Sequence, residues 1–306
     1  MEQLLSLAFD NLSSYDGPKI RKGLRQVEGL LANICLSRAQ SSRDRRASII
    51  STTADEEAAA AAGPTPNKTL EQISEDPAFC EFFKLQEGFE WNVALRLVQT
   101  LDRLLARGAD GSNDLLIMSA LELVQGVMLL HPPSKALFSR EVYMNLLLDL
   151  LEPDFCPAIQ SSTVVTLVTA LIDTPRNTRT FEALDGLLTI TSLFRNRCTA
   201  RDVKLKLIEF LYFYLMPETP SIPAAQPNPQ LPGLLQRSPS KLAKAFVGGH
   251  HGRASSNDSS GRPRSAGDGE TRTQEEKQAL LGRHLSSVAE LVEDLKQNTP
   301  FGGVVG

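Results

Sequence analysis

The sequence contains few of the features on which metal binding, secretion or membrane insertion depend. Its 306 residues include only four cysteines, which lie far apart, with no CxxC pair and no histidine at ligand spacing. We therefore expect buried free thiols in a reducing compartment, no metal and no cofactor. No apolar run approaches the roughly 18 residues that a transmembrane helix needs, and the first residues lack the pattern of a secretory signal. These absences predict a cytoplasmic protein.

Motifs of the common phosphate-transferring and hydrolytic enzymes are also missing. No glycine-rich kinase loop, HRD, DFG, GxSxG or phosphate-binding P-loop occurs. No cysteine has an arginine six positions later, as the dual-specificity phosphatase loop requires; after Cys198 that position is Lys204. A net charge of −4 without an aromatic stacking platform disfavours nucleic acid. We expect a binding protein, not an enzyme.

Apolar residues recur at helical spacing along most of the chain. The clearest case is the stripe Val203, Leu207, Phe210, Leu211 and Tyr214, whose steps of three and four predict a buried helix face. Residues 160–172 are rich in β-branched side chains, but both flanks are helical and no partner strand exists, so a helix is favoured there too. The pattern predicts an all-α fold, either an armadillo/HEAT-like solenoid or an irregular helical bundle.

Composition divides the chain into four parts. We expect residues 1–37 and 69–216 to form a single helical domain, because residues 1–37 alone are too few to hold a core. Residues 38–68 are rich in Ser, Ala, Thr and Arg and predict a disordered insertion. Residues 217–274 are rich in Pro, Ser and Gly and predict a disordered tail.

An amphipathic C-terminal helix is expected over residues 275–297. Leu281, Leu285, Val288, Val292 and Leu295 step by four, three, four and three, as in a heptad seam. Three interpretations stay open. The helix docks on its own domain, it contacts a partner, or it is largely frayed.

Candidate partner-binding residues cluster around a basic segment between two helices. It contains Arg195, Arg197, Arg201, Lys204 and Lys206. A solvated turn is the simplest interpretation, and the functional one is a docking patch for an acidic or phosphorylated segment. The residues we select are Arg176, Arg179, Phe194, Arg195, Arg197 and Arg201. Trp91 is a further candidate anchor, although a lone Trp on an apolar stripe is more typical of a core.

Three serines lie in strings that protein kinases prefer. Ser48 follows Arg45-Arg46-Ala47, which suits a basophilic kinase, and Ser238 precedes a proline. Ser256 completes a His-x-Arg-x-x-Ser pattern that nuclear-Dbf-related kinases favour. Phosphorylation would add about two negative charges to each site.

Four stretches resemble a fungal protein family. They read GPKIRKGLRQVEGLLANICL at 17–36, FKLQEGFEWNVALRLVQTLDRLL at 83–105, ALELVQGVMLLHPPSKALF at 120–138 and, above all, DTPRNTRTFEALDGLLTITSLFRNRCTARDVKLKLIEFLYFYLMPET at 173–219. The family is cell division control protein fourteen, a septation initiation network component unrelated to the phosphatase of the same name. The resemblance covers about residues 1–37 and 69–220, and it is one of continuous sequence, not of a chemical motif.

The resemblance implies a non-catalytic regulatory or scaffold subunit. Members of this family bind a germinal-centre-type protein kinase, support its activity and its placement at the spindle pole body, and so promote septum formation and cytokinesis. The family is associated with an armadillo-like fold. A nuclear-Dbf-related kinase ends the same network, which suggests feedback phosphorylation at Ser256.

Two other functions are open. The first is a general helical-repeat adaptor for vesicle or cytoskeletal cargo, which would bind peptides without a kinase. The second is an unrecognised enzyme, which would require a deep polar pocket with a perturbed acid or base. The sequence offers no candidate pair for such a pocket.

Overall fold

The computed structural model describes residues 1–36, 67–107, 111–218 and 271–288, and these ranges are almost entirely helical. Their elements are α1 (Glu2–Leu12), α2 (Gly17–Cys35), α3 (Leu70–Ser74), α4 (Pro77–Gln86), α5 (Val93–Leu105), α6 (Asp114–Leu130), a 3-10 helix (Pro132–Ser139), α7 (Glu141–Asp149), α8 (Pro157–Leu171), α9 (Pro175–Ala183), α10 (Gly186–Arg195), α11 (Arg201–Leu215) and α12 (Gln274–Gly282). The all-α prediction is confirmed, with the helices packed as a bundle. None of the described helices is long and apolar enough to cross a bilayer.

The four longest helices of these ranges pack side by side in the order α2, α6, α8 and α11. Helix α1 covers α2 and touches α5, and the 3-10 helix contacts both α6 and α9. One apolar core runs through this row, from Leu5 to Val288. The predicted stripe of α11, from Val203 to Tyr214, is fully buried in it. The armadillo/HEAT-like variant of the fold stays a prediction.

Helix α8 confirms the helical interpretation of the β-branched segment 160–172. Its threonine hydroxyls are satisfied within the helix, because Thr163, Thr166 and Thr169 each donate to the carbonyl four residues earlier, at 2.8–2.9 Å. The helix is buried on several sides between α6 and α11. Burial on opposite sides explains why it carries apolar residues all round and no clear polar face.

The two ends of the predicted insertion meet at the domain surface. Leu36 and Asn67 form an antiparallel bridge. The ammonium of Lys68 donates to the carbonyl of Ile34 at 2.8 Å and pairs with the carboxylate of Asp76. The hydrogen bond from Lys68 lowers the pKa of Asp76. Lys68 therefore belongs to the folded part, whereas residues 37–66 lie outside the described ranges.

The C-terminal helix is shorter than the sequence predicts. It ends at Gly282, and residues 283–287 form turns, where one continuous helix over 275–297 was expected. Glycine is a poor residue for the interior of a helix, which accounts for the interruption. Leu281, Leu285 and Val288 are nonetheless buried. The segment docks on its own domain, as the first of the three interpretations has it, and residues 289–297 lie outside the described ranges.

All four cysteines are free, but the expectation that they are buried is only partly right. Cys80 and Cys198 are exposed, and Cys35 and Cys156 are half-buried. Both exposed thiols lie at surface positions, Cys80 in the amphipathic helix α4 and Cys198 in a turn. Trp91 is half-buried and stacks on Phe9 with ring centroids 6.2 Å apart, so it contributes to packing.

His131 is a buried, uncharged histidine at the end of α6. Only 2% of its surface is exposed, and its Nδ1 lies 2.8 Å from the hydroxyl of Ser134. The ring packs edge-on against Phe83, with centroids 4.5 Å apart. Burial lowers the pKa of His131, and the charge of Glu87 opposes this only in part. Protonation is therefore disfavoured in the folded state.

Acidification is expected to destabilise the protein through His131. Because its pKa is lower in the folded chain, the unfolded chain binds the proton first as the pH falls through about 6.5. Stability should therefore fall between pH 7.5 and 5.5, and the fall should be smaller in a variant that lacks this group. Urea unfolding of the wild type and of His131→Asn at pH 7.5 and at pH 5.5 measures this loss of stability. Equal pH dependence in the two proteins would contradict the assignment.

Candidate protein-docking surface

The predicted basic segment forms the turn between α10 and α11. We call residues 195–201 the basic turn. Arg195 ends α10, Arg197 lies within the connection and Arg201 begins α11, and all three side chains are exposed. Within the described ranges, no carboxylate forms an ion pair with any of the three. The turn therefore presents uncompensated positive charge to the solvent.

Side-chain hydrogen bonds hold the basic turn in a defined shape. The Oδ1 of Asn196 accepts from the backbone N–H of Cys198 at 2.9 Å, and the hydroxyl of Thr199 donates to the carbonyl of Leu193 at 2.7 Å. Phe194 is half-buried and packs against the core. The arginines therefore project from an anchored turn, which reduces the entropy lost when a partner binds.

Exposed leucines lie beside the arginines on both helices. Leu188 and Ser192 precede Arg195 by seven and three positions, which places them on one exposed face of α10. Leu205 follows Arg201 by four positions on α11. Leu188 is 46% exposed and Leu205 56%. We call these residues, with Arg197, the docking face; arginine is enriched at protein-binding surfaces.

The other predicted arginines do not join the docking face. Arg176 is exposed on α9, and no contact links it to the basic turn. Arg179 points inward, where its Nη2 lies 3.2 Å from Glu182 and 2.5 Å from Glu218. Arg179 is thus engaged inside the protein and, unlike the arginines of the basic turn, is not presented to a partner. The predicted phosphorylation sites Ser48, Ser238 and Ser256 lie outside the described ranges.

A second polar cluster lies at the opposite end of α11. We call Glu182 and Glu218 the acidic site, and each carboxylate is only 7% exposed. The hydroxyl of Tyr214 donates to Glu182 at 2.8 Å. Arg272 Nε binds the other oxygen of Glu182 at 2.8 Å, and Lys277 Nζ binds Glu218 at 3.0 Å. Three cations therefore surround two buried carboxylates.

Burial sets the protonation of the groups around the acidic site. It raises the pKa of Tyr214, and the charge of Glu182 raises it further, so the phenol stays a hydrogen-bond donor. Burial lowers the pKa of Lys277, while its hydrogen bond to Glu218 acts in the opposite direction. The ammonium also lies 5.2 Å from the centre of the Tyr214 ring, a cation–π contact. Burial thus outweighs the carboxylate in setting the pKa of Lys277.

The acidic site was not predicted from the sequence. Glu182 lies on α9, Glu218 follows α11 and two of their cationic partners lie in the segment 271–288, so no local spacing connects them. One signal was available, since Lys277 precedes Leu281 by four positions and therefore lies on the buried side of α12. A lysine on such a stripe indicates a buried acidic partner. Among the described residues, no group of three or more His, Cys, Asp or Glu could hold a metal.

Comparison with known proteins identifies the family. A family model described as "Cell division control protein 14, SIN component" matches residues 1–301. Cell division control protein 14 of Schizosaccharomyces pombe is 27% identical over 304 residues, which cover 99% of this chain and 97% of that protein. No solved structure matches the chain. Since the family match includes both the docking face and the acidic site, the chain that carries them belongs to the cell division control protein 14 family of septation initiation network components.

Proposed function

We propose that this protein is a non-catalytic regulatory or scaffold subunit that binds a germinal-centre-type protein kinase. Membership of the family gives the chain a role in the septation initiation network and thereby in cytokinesis and septum formation. In the proposed role, the protein supports the activity of the kinase and its placement at the spindle pole body, from a cytoplasmic pool. The chain itself contributes binding and no chemical step.

The observation that carries the proposal is the uncompensated charge of the basic turn. Three arginines on an anchored connection, beside exposed Leu188 and Leu205, favour a partner that presents carboxylates next to apolar side chains. Arginine forks bind carboxylate or phosphate oxygens in pairs. A phosphorylated loop of the kinase would therefore suit the docking face as well as an acidic one.

Reversal of two charges in the basic turn tests the proposal. In Arg195→Glu/Arg197→Glu the affinity for the kinase is expected to fall at least ~10-fold, because like charges would then face each other across the interface. Both side chains are exposed, so the fold should be unaffected. Surface-immobilised kinase and full-length protein give the dissociation constants.

A matched variant distinguishes an effect of the position of the mutated arginines from an effect of the net charge of the protein. Arg21→Glu/Arg25→Glu makes the same change at two exposed arginines on α2, outside the docking face. It should bind the kinase as the wild type does. Equal affinity of the wild type and both variants would move the interface away from the basic turn, and an equal loss in both variants would reduce the effect to net charge.

A further inference from the structure

The segment 271–288 packs on the domain, although it is distant in the sequence from the residues that it contacts. Residues 219–270, 52 in number, separate it from Glu218. The segment carries α12, a helix of nine residues with a capping box formed by Thr273 and Glu276. So short a helix is marginal in isolation, and its contacts with α11 stabilise it.

The domain builds the acidic site without help from this segment. Arg179 bridges the two carboxylates, through Oε1 of Glu182 and Oε1 of Glu218, and Tyr214 donates to the same Glu182 oxygen. Two carboxylates held by one arginine leave a net charge of −1 in a buried position. The second oxygen of each carboxylate is turned to the segment. The domain therefore presents a pair of carboxylates with a net charge of −1 to the segment.

The segment supplies cations that bind the two carboxylates and an apolar seam that packs into the core. Arg272 binds Glu182 through its side chain and donates its backbone N–H to Glu218 at 2.9 Å. Lys277 binds Glu218 and also donates to the carbonyl of Met216 at 3.0 Å. Leu281, Leu285 and Val288 follow, each less than 7% exposed. The occupant is thus a short segment in which two cations, one before and one within the helix, precede an apolar seam that continues past the helix end.

The charges at this contact distinguish it from the rest of the core. An interface centred on ion pairs leaves both partners polar when they separate, unlike a dry apolar core. Arg179 also keeps its Nε and Nη1 buried without a hydrogen bond, so the network is incompletely satisfied. Both features favour a contact that opens more readily than the packing among α2, α6, α8 and α11.

We propose that the acidic site is a docking site for a short segment with two cations ahead of an apolar seam and that the chain's own segment 271–288 is its resident, releasable occupant. A partner segment with the same order of groups, an arginine, a lysine five residues later and then a leucine seam, would bind in its place. The site lies at the end of α11 opposite to the basic turn, roughly 20 Å along the helix. It is therefore independent of the proposed kinase contact.

A labelled peptide of residues 271–288 tests the proposal with the full-length protein. In the wild type the tethered segment has an effective concentration on the order of 1 mM and excludes the peptide. In Arg272→Glu/Lys277→Glu the segment should be released, and the peptide should bind at least ~10-fold more tightly than to the wild type. Fluorescence anisotropy gives the affinities. A peptide with the same two substitutions should not bind.

Hydrogen exchange and two further variants make the test decisive. Amides of 274–282 should exchange faster in the double variant, while those of α6 and α8 stay protected. Leu285→Asp should release the segment through its seam without altering the acidic site, so it should also bind the peptide. Arg283→Glu reverses an exposed charge on the same segment and should behave as the wild type. A protected segment in the double variant, or a released segment with no peptide binding in either releasing variant, would overturn the proposal.

Discussion

Asn177→Ala is expected to lower the free energy of unfolding by about 3 kcal/mol. Asn177 is fully buried at the start of α9. Its Nδ2 donates to the carbonyl of Lys135 at 2.8 Å and to that of Ala170 at 2.7 Å. The substitution leaves the buried carbonyl of Ala170, one of the last four of α8, without a partner, which costs about 1–3 kcal/mol, and it removes a further hydrogen bond to the carbonyl of Lys135. Urea unfolding, monitored by circular dichroism, measures the change.

The neighbouring Arg176→Ala provides the control for Asn177. Arg176 is exposed on the same turn of α9, so its removal should change stability by less than ~0.5 kcal/mol. The two hydrogen bonds of Asn177 tie α9 to the 3-10 helix and to α8, and α9 carries Glu182 of the acidic site. A loss below about 1 kcal/mol in Asn177→Ala would mean that these bonds do not hold α9 in place.

Gly186→Ala is expected to destabilise the protein by about 3 kcal/mol, against the usual preference of helices for alanine. A Cβ at this position would lie 2.3 Å from Cε2 of Phe181. Phe181 is fully buried and packs against Phe210, with ring centroids 5.5 Å apart, so it cannot move aside. The thermal midpoint of unfolding should fall by several degrees.

Two variants control for the helix preference and for the contact. Gly29→Ala introduces the same change in α2 at a position with no atom within 4 Å, and it should stabilise the protein by about 0.5–1 kcal/mol. Phe181→Leu combined with Gly186→Ala should recover part of the lost stability, because the leucine side chain is smaller and leaves space for the new Cβ. A neutral or stabilising Gly186→Ala would contradict the close packing of α9, α10 and α11.

The sequence predicted the helices well because helix formation depends mainly on residues that lie close together in the chain. Steps of three and four identified the buried face of α11, and prolines mark the first turn of α4, α8 and α9, where a missing N–H costs little. The β-branched α8 needed one further argument, the lack of a partner strand. Its burial between α6 and α11 is the physical reason that propensity failed there.

Long-range contacts account for what the sequence did not predict. The basic turn was found from its charge and its place between two apolar stripes. Arg179 has the same charge, yet it binds Glu182 and Glu218, and nothing in its neighbourhood in the sequence distinguishes it from Arg195. Likewise Glu218 and Arg272 mark the two edges of the range expected to be disordered, and both are part of the folded network. Pairings over 54 residues or more leave no local signal.

The proposed binding of a germinal-centre-type protein kinase is tested most directly by affinity purification of the full-length protein from cells that express it naturally, followed by quantitative mass spectrometry. The account predicts that such a kinase is recovered in stoichiometric amount, and that Arg195→Glu/Arg197→Glu loses it while Arg21→Glu/Arg25→Glu retains it. Recovery of the folded protein without any kinase, or with other cargo in its place, would contradict the account and favour a general helical adaptor.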